Sequence, residues 1–300
     1  MRTSRAAWRM VVVAWVVGVL AVAAPAAVRL PTVFSEHMVL AREMAVPVWG
    51  WADAGEKVTV KFADQTKTAT AGADGKWMVR LDALKAADAP AEMTVTDGAG
   101  KATVVKDVLV GEVWLGSGQS NMEMGVGGCL EVDKVAKEAQ YPAIRMFIVD
   151  KKPAGEPRDD VFGRWFVCSP DTVRGFSAVL YFFGVRIHKE LGVPVGLLHS
   201  SWGGTAIEPW VPPCGFAMVD SLAPFVQRIK DAPVQYRKQV SDAIAQVEAW
   251  LPKAKAALAD NASIPSAPQM PRHPLDSSGD PTGLYNGMIH GLIPYAMRGA

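Results

Sequence analysis

Cysteine is scarce in this chain, with three residues among 300. Cys129, Cys168 and Cys214 lie far apart, and no pair has the C-x-x-C spacing typical of a structural zinc site. The sequence therefore predicts no metal site. It leaves two interpretations of the thiols open: one pair forms a disulfide in an oxidising compartment, or all three are small buried hydrophobic residues.

A charge excess of either sign is also missing, because 31 Lys and Arg residues face 30 Asp and Glu residues, for a net charge of +1. A chain without a basic field is not expected to bind nucleic acid. No apolar run after residue 27 is long enough to span a bilayer. Half of the residues are hydrophobic, so the chain can bury a sizeable core in one large or two ordinary domains.

The first 27 residues have the order of a secretory signal peptide. Arg2, Arg5 and Arg9 precede an apolar stretch over residues 10–22, and small residues follow through Ala27. We expect cleavage near Ala27 and export to the periplasm or the extracellular space. An uncleaved membrane anchor is the alternative, since the apolar stretch approaches the length that spans a bilayer.

Residues 28–108 show short strand-like runs separated by turns, at the spacing typical of a β-sandwich. The runs are rich in Val, Thr and Trp, and dipeptides such as Asp74-Gly75 supply the turns. We therefore predict a small antiparallel β-sandwich domain here. Trp49 and Trp51 should lie on the same side of their strand because they are two residues apart.

After the first domain the pattern changes to apolar runs that alternate with helical segments. The clearest helix spans residues 177–191, where Ser177 suits the N-cap. Strand and helix alternation predicts an α/β domain with a parallel sheet covered on both faces. We assign residues 109–300 to this domain, with a helical and Pro-rich insertion over about residues 215–280.

A serine follows an apolar strand in a glycine-containing turn. Residues 113–115 lead into Gly116, Gly118 and Ser120, and a helix is predicted next. A sharp strand-to-helix turn lifts a hydroxyl clear of the sheet, while the glycines leave room for a substrate carbonyl. The first N–H groups of the helix are unpaired and can stabilise an oxyanion. On its own, a Gly-x-Ser turn is more often a helix cap or a tight turn.

A second glycine loop favours catalysis over that simpler interpretation. The apolar run over residues 193–198 is followed by Gly203 and Gly204. Loops at the carboxyl ends of neighbouring parallel strands meet where open α/β sheets place ligands. We expect Gly203 or Gly204 to direct a second N–H at the oxyanion that the Ser120 N–H contacts.

Seven segments follow one another in the order of landmarks of the sialate O-acetylesterases, a branch of the SGNH hydrolases. The chain resembles this family over nearly all of its mature part, apart from about residues 215–280. The segments are Phe34-Ser35-Glu36-His37-Met38-Val39-Leu40, Val46-Pro47-Val48-Trp49-Gly50, Gly111-Glu112-Val113-Trp114, Gly118-Gln119-Ser120-Asn121-Met122, Ser177-Ala178 with Tyr181-Phe182, Ser201-Trp202-Gly203-Gly204-Thr205 and Leu284-Tyr285-Asn286-Gly287-Met288-Ile289.

The resemblance implies a flavodoxin-like, three-layer α/β/α catalytic domain. It implies Ser120 as the nucleophile, and the N–H groups of Ser120 and of the Gly203-Gly204 loop as oxyanion donors. In the family, a Gly-Glu-Ser-Asn loop and a later Asp-x-x-His segment complete the site. This sequence contains neither, so we expect the catalytic His and Asp beyond residue 300 and the 300-residue chain alone to be inactive.

The five histidines offer no clear substitute for that base. His199 precedes the glycine loop and lies closest to the predicted site, although strand-end histidines more often belong to the scaffold. We interpret His37 and His188 as structural or solvent-exposed. His273 and His290 have no carboxylate partner that the sequence identifies.

Residues after the second glycine loop are candidates for binding a sugar. Trp202 and Trp210 could stack on a pyranose ring and Glu208 could accept its hydroxyls, or the tryptophans belong to the core and Glu208 to a surface ion pair. Gln119 and Asn121 flank the nucleophile, and their amides are expected to hold the turn rather than to contact substrate.

Together these patterns predict a serine enzyme that hydrolyses O-acetyl esters on sugars through an acetyl-enzyme, with no cofactor. Its partner is an acetylated carbohydrate. One alternative is an exported carbohydrate-binding protein without catalysis. Another is a different SGNH activity such as a lipase, but that class usually carries Gly-Asp-Ser-Leu where this chain has Gly-Gln-Ser-Asn.

Overall fold

The computed structural model describes residues 28–300, and the predicted signal peptide lies outside the described residues. The strands of this part of the chain are β1 (Val39–Ala41), β2 (Val46–Trp51), β3 (Lys57–Phe62), β4 (Gln65–Thr70), β5 (Lys76–Leu81), β6 (Ala87–Thr96), β7 (Ala102–Gly118), β8 (Tyr141–Val149), β9 (Gly163–Cys168) and β10 (Val195–Ser201). The α-helices are α1 (Ser120–Glu123), α2 (Val132–Glu138), α3 (Ala178–Leu191), α4 (Pro213–Ala217) and α5 (Ala223–Ala259). Near the end of the chain, Tyr285–Ile289 forms a π-helical turn.

The N-terminal part consists of two antiparallel layers that enclose a common core. Strands β2 and β5 pair with each other, and β4, β3, β6 and the first half of β7 form the other layer. In β5 every second side chain is buried, as expected for a strand with one face toward a core. Val48 and Val79 from one layer join Val60 and Val95 from the other in that core. The small antiparallel domain predicted from the sequence is therefore present.

Strand β7 connects the antiparallel layer to the α/β layer. Its first residues pair antiparallel with β6, and residues further along pair parallel with β1 and then with β10. The strand runs through residue 108, where the sequence places the domain boundary. The small domain and the sheet of the α/β domain thus share one continuous strand, which ends at Gly118, two residues before Ser120.

The α/β class predicted from the sequence is confirmed. Strands β7, β10 and β8 are parallel neighbours, and α3 covers one face of their sheet. Leu197 of β10 faces the core beneath α3, whereas the next residue, Leu198, faces a second core that includes Met288. This alternation is the signature of a sheet buried on both faces.

The sheet differs from the prediction at one edge, because β9 pairs antiparallel with β8. The segment between these two strands, residues 150–162, contains no helix that could cross over the sheet, and the chain turns back on itself. At the opposite side, Gly299 forms a parallel bridge with Trp114. The backbone at Gly299 thus pairs with the edge of β7 that faces away from β10.

The predicted insertion contains the longest helix, α5, with Pro233 and Pro252 inside it. Ala232, Ala243 and Ala254 are its buried residues, so the helix touches the rest of the molecule through a narrow stripe. Within residues 28–300, no helix combines the length and the apolar character that crossing a bilayer requires.

A charged cluster joins the start of β7 to β8 at the end of the sheet remote from Ser120. Arg145 is buried and donates two hydrogen bonds to the carboxylate of Asp107, at 2.6 and 3.0 Å. His37 Nδ1 lies 2.5 Å from the same carboxylate. Burial by itself raises the pKa of Asp107, but the hydrogen bonds from Arg145 and His37 outweigh it and lower that pKa below its usual value.

We expect Asp107→Asn to reduce the free energy of unfolding by about 3 kcal/mol, because it leaves the buried guanidinium of Arg145 without its counter-charge. The native pKa of Asp107 is depressed, so its contribution is complete above pH 4 and is lost as pH falls through the native pKa. Urea unfolding at pH 7 and pH 3 should show this loss at pH 7 and a much smaller one at pH 3. As a control, Asp133→Asn breaks the exposed pair with Arg174 and should cost less than about 1 kcal/mol.

Candidate active site

Ser120 is the first residue of α1 and follows the carboxyl end of β7 directly. Gly118 has φ +141°, a backbone conformation that residues with a Cβ rarely adopt, and this sharpens the turn. A Cβ at Gly116 would lie 2.7 Å from Leu180, so glycine also lets α3 pack close beneath the turn. The Ser120 side chain is exposed, as the strand-to-helix turn predicted.

The amide of Gln119 holds the Ser120 turn. Its Oε1 accepts a hydrogen bond from Ser120 N at 3.0 Å and a second from Ser120 Oγ at 2.5 Å. Gln119 thus acts as the N-cap of α1, in agreement with the predicted structural role of its amide. In this structure the N–H predicted to stabilise an oxyanion is already paired with a side-chain oxygen.

The second glycine loop lies directly beside Ser120. Ser201 pairs with Gly118 in the parallel ladder, and Trp202 N donates to Gly118 O at 3.0 Å. A side-chain carbon built on Gly203 would lie 3.5 Å from both Cα and Cβ of Ser120. The two loops therefore meet at one edge of the sheet, as the ends of neighbouring parallel strands should.

Glu123 connects this loop to a third one. Its Oε2 accepts the Gly203 N–H, and its Oε1 accepts a hydrogen bond from Lys151 Nζ just after β8. Gly204, with φ +77°, is exposed, and its N–H forms no hydrogen bond among the described residues. Of the two glycines left open by the sequence, Gly204 is the one whose N–H remains available to a ligand.

The charge of Glu123 is stabilised by its partners. The hydrogen bonds from Lys151 and from the Gly203 N–H lower the pKa of Glu123, against a smaller opposing effect of burial. The carboxylate is consequently ionised at neutral pH and holds the 202–205 loop against α1. Since the native pKa is depressed, this tether is complete above pH 4.5 and is lost as pH falls through the native value.

We expect Glu123→Ala to raise hydrogen exchange of the 202–205 loop about tenfold at pH 7, because a hydrogen bond to a charged group is lost. Exchange mass spectrometry of the peptide that contains Gly203 measures this. The control is Glu131→Ala, which removes an exposed carboxylate whose one ion pair within residues 28–300 is with Lys134. Unchanged exchange in Glu123→Ala would show that the backbone alone fixes the loop.

All five histidines are hydrogen-bonded to groups other than Ser120. His37 contacts Asp107, His188 Nδ1 lies 2.7 Å from Val193 O, His290 Nδ1 lies 2.9 Å from Arg158 O and His273 Nδ1 accepts from Leu275 N. His199 is the one near the site.

His199 is buried in β10, and its Nε2 lies 2.7 Å from Ser201 Oγ. Burial lowers the pKa of His199 below its usual range, so the ring is neutral at pH 7. In this structure it supports the scaffold beneath the glycine loop, and no histidine of the described residues is placed to accept the Ser120 proton.

A pocket of about 410 Å³ opens beside the Ser120 turn. Gly118 and Gln119 form one side, and Thr205, Ile207 and Trp210 form the other. Trp210 Nε1 donates to Thr205 Oγ1 at 3.0 Å, which fixes the indole in the wall. A pocket of this size with mixed apolar and polar walls can hold a small ligand such as one sugar ring.

The other predicted sugar contacts lie outside that wall. Trp202 is half-buried, with Lys151 Nζ 5.7 Å from its ring centroid, and Glu208 begins a short 3₁₀ turn. Asn121 is exposed on α1. Of the three substrate-binding candidates, Trp210 is therefore the one that lines the pocket.

Sequence reasoning did not identify Glu123 and Lys151, although two signals were available. Glu123 lies three residues after Ser120 and hence on the same side of a helix. Lys151 comes two residues after β8, at the sheet edge where a third loop of the site is expected.

The thiols are free. Cys168 is buried, Cys129 is partly buried and Cys214 is exposed, so the alternative of three buried residues holds for Cys168 alone. Burial raises the pKa of Cys168 to about 12. In the part of the chain that the structure describes, no three His, Cys, Asp or Glu side chains converge as a metal site requires.

Comparison with known proteins gives three results. Residues 110–249 match the model of a family described as carbohydrate esterase, sialic acid-specific acetylesterase. The sialate O-acetylesterase of Rattus norvegicus is 34% identical over 204 residues, which is 61% of this chain and 37% of that protein. The human sialate O-acetylesterase is 32% identical over 204 residues, or 61% of this chain and 38% of that protein.

Among solved structures, a carbohydrate acetylesterase from Xanthomonas citri has a TM-score of 0.67 at 30% identity. The match covers 90% of this chain and 49% of that protein. The predicted resemblance to sialate O-acetylesterases is thus confirmed, and the fold is consistent with the SGNH type. The chain spans less than half the length of each of these relatives.

Proposed function

We propose, from this similarity to sialate O-acetylesterases, that the chain forms the nucleophile-bearing part of an esterase that removes O-acetyl groups from sugars. The observation that carries the proposal is the meeting of two loops. Ser120 at the end of β7 and the Gly203-Gly204 loop at the end of β10 lie side by side, with a pocket next to them.

In the proposed reaction, Ser120 Oγ attacks the carbonyl carbon of the acetyl group and its proton passes to a general base. The bond from that carbon to the sugar oxygen breaks, and the sugar leaves as an alcohol after taking the proton. Water then attacks the acetyl-serine, which releases acetate and restores the hydroxyl. Atoms and charges balance without a cofactor.

The developing oxyanion needs N–H donors, and the proposed pair is Ser120 N–H and Gly204 N–H. Ser120 N–H is paired with Gln119 Oε1 in this structure, so the substrate has to displace that amide oxygen. Gln119 is exposed and can swing into solvent at small cost. Gly203 N–H stays bonded to Glu123, which gives Glu123 a positioning role.

The general base is proposed to come from outside residues 28–300. A serine hydroxyl is a weak nucleophile until a base accepts its proton. His199 is the nearest candidate, but it is buried and hydrogen-bonded to Ser201. Its lowered pKa also makes it a weak proton acceptor.

The proposed substrate is a sugar ring that bears an O-acetyl group. The pocket beside Ser120 offers the Trp210 indole as an apolar wall and Thr205 as a polar contact. Trp202 and Glu208 remain candidates for contacts with neighbouring sugar units. The signal peptide predicted from the sequence supports the further proposal that the protein is exported to a compartment where acetylated glycans are accessible.

Two assays together test this function in the whole protein that contains the chain. Labelling by a fluorophosphonate should modify Ser120, which a protein that only binds carbohydrate has no reason to activate. Acetate release should be measured on acetylated xylan, pectin and sialic acid beside a long-chain acyl ester. Rapid turnover of the acyl ester with none of the acetylated glycans would favour a lipase-type activity instead.

A further inference from the structure

A second cavity, of about 450 Å³, lies between the small domain and Asp159, His290 and Pro294 of the α/β domain, and it shares no residue with the pocket beside Ser120. Trp49, Trp51 and Trp77 line it, together with Gly50 between the first two. Trp49 and Trp51 thus face one cavity, as expected for residues two apart on a strand. Cavities lined by several aromatic rings and a few polar groups are typical of ligand sites.

The aromatic wall is rigid. Gly50 pairs with Trp77 across the β2–β5 ladder, and a Cβ on Gly50 would lie 3.0 Å from the Trp77 indole and 2.2 Å from Arg29 O. The guanidinium of Arg29 lies 3.6 Å from the centroid of Trp51. Because that cation occupies one face of the half-buried Trp51 ring, the indole is held as a fixed platform.

The Trp77 indole lies behind this wall. Trp77 pairs with Gly50, so its side chain is on the face of the β2–β5 ladder opposite Trp49 and Trp51, where it joins Val79 in the core of the small domain. Its N–H is buried and forms no hydrogen bond among the described residues. The stacking surface that the wall offers to a ligand is therefore that of Trp49 and Trp51.

The edge of the cavity carries one positive and one negative side chain. Lys76 Nζ and Asp159 Oδ1 form an ion pair of 2.7 Å across the cavity edge, and both side chains are about half exposed. A neighbouring cavity of about 380 Å³ shares Trp51 and Asp159 and adds Arg29, Arg158 and Asp160. The Lys and Asp of this ion pair are the cation and the carboxylate that line the larger cavity, so that cavity suits a neutral ligand.

We propose that this cavity binds a neutral pyranose unit of a glycan, at a site separate from the pocket beside Ser120. A sugar ring presents an apolar face to an indole, and its hydroxyls can reach the ion pair and Thr70, which also lines the cavity. The shared groove around Trp51 has room for a second unit. The choice of a glycan among ring-shaped ligands rests on the proposed function.

Calorimetric titration of the whole protein carrying Ser120→Ala tests the site without interference from hydrolysis. The probes are the neutral hexasaccharides of xylose, mannose and glucose and, as an acidic counterpart, the hexamer of galacturonic acid. We expect at least one neutral probe to bind. Adding Trp51→Ala should weaken its Kd at least about tenfold, because the stacking surface is lost.

A second variant tests the same cavity in case Trp51→Ala does not fold. The double variant Lys76→Ala with Asp159→Ala removes both charges of an exposed pair, and should also weaken binding at least about tenfold while thermal unfolding stays nearly unchanged. Trp250→Ala is the matched control, since Trp250 is a half-buried tryptophan on α5 that lines neither cavity.

The proposal is wrong if no neutral probe binds, if the acidic hexamer binds more tightly than all neutral ones, or if both cavity variants keep the original Kd. These outcomes are independent of catalysis, because the binding protein carries no nucleophile. Loss of acetyl hydrolysis with intact binding would instead contradict the proposed function alone.

Discussion

Ser120→Ala should reduce acetyl release by the whole protein at least about a thousandfold. The substitution removes the atom that is proposed to form the acetyl-enzyme, so the water that replaces it would have to attack without activation. The fold should be nearly unaffected, because the Ser120 side chain is exposed and Gln119 Oε1 keeps its hydrogen bond from Ser120 N when the hydroxyl is removed. Initial rates on an acetylated sugar, with thermal unfolding as the check on folding, measure both effects.

Asn121→Ala is the matched control for this experiment, since Asn121 is the next residue on α1 and is equally exposed. We expect it to retain most of the activity, because no hydrogen bond of its side chain holds the turn among the described residues. A Ser120→Ala protein with a tenth of the original rate would remove Ser120 from the mechanism. Equal losses in the two variants would point to disruption of the turn.

Much of the fold could be predicted because its signals are local. Ser177 caps α3 through its contact with Leu180 N, and Gly192 ends the helix in a left-handed conformation, as the sequence indicates. The antiparallel β9 could not be predicted in the same way. Its pairing with β8 depends on which sheet edge is free, and no local pattern encodes that.

The candidate site likewise contains contacts that the sequence predicts and contacts that it does not. The proximity of Ser120 and Gly203 follows from one rule, that parallel neighbours end at the same edge of a sheet. The bond from Gly203 N–H to Glu123 does not follow from any rule of that kind. This hydrogen bond joins residues 80 positions apart, and it depends on how the 202–205 loop folds against α1.

The hydrogen bonds around Ser120 provide no general base for its proposed role. Ser120 Oγ donates to Gln119 Oε1, which is an amide oxygen and accepts no proton at neutral pH. Glu123 is ionised but engaged by Gly203 and Lys151, and its lowered pKa makes it a poor base. These neighbouring groups therefore orient the Ser120 turn, and the proposed mechanism needs a base from elsewhere.

Residues 28–300 produced by themselves should consequently hydrolyse p-nitrophenyl acetate at no more than about a thousandth of the rate of a longer protein that also contains the proposed proton acceptor. The positioned N–H donors remain in this chain, but the proposed proton acceptor is absent from it. The comparison needs both proteins and the Ser120→Ala variant of each, with circular dichroism to show that the shorter chain is folded. A shorter chain that matches the longer one in a Ser120-dependent way would place the base within these residues. His199 would then be the leading candidate, and it would have to exchange its bond to Ser201 for one to Ser120.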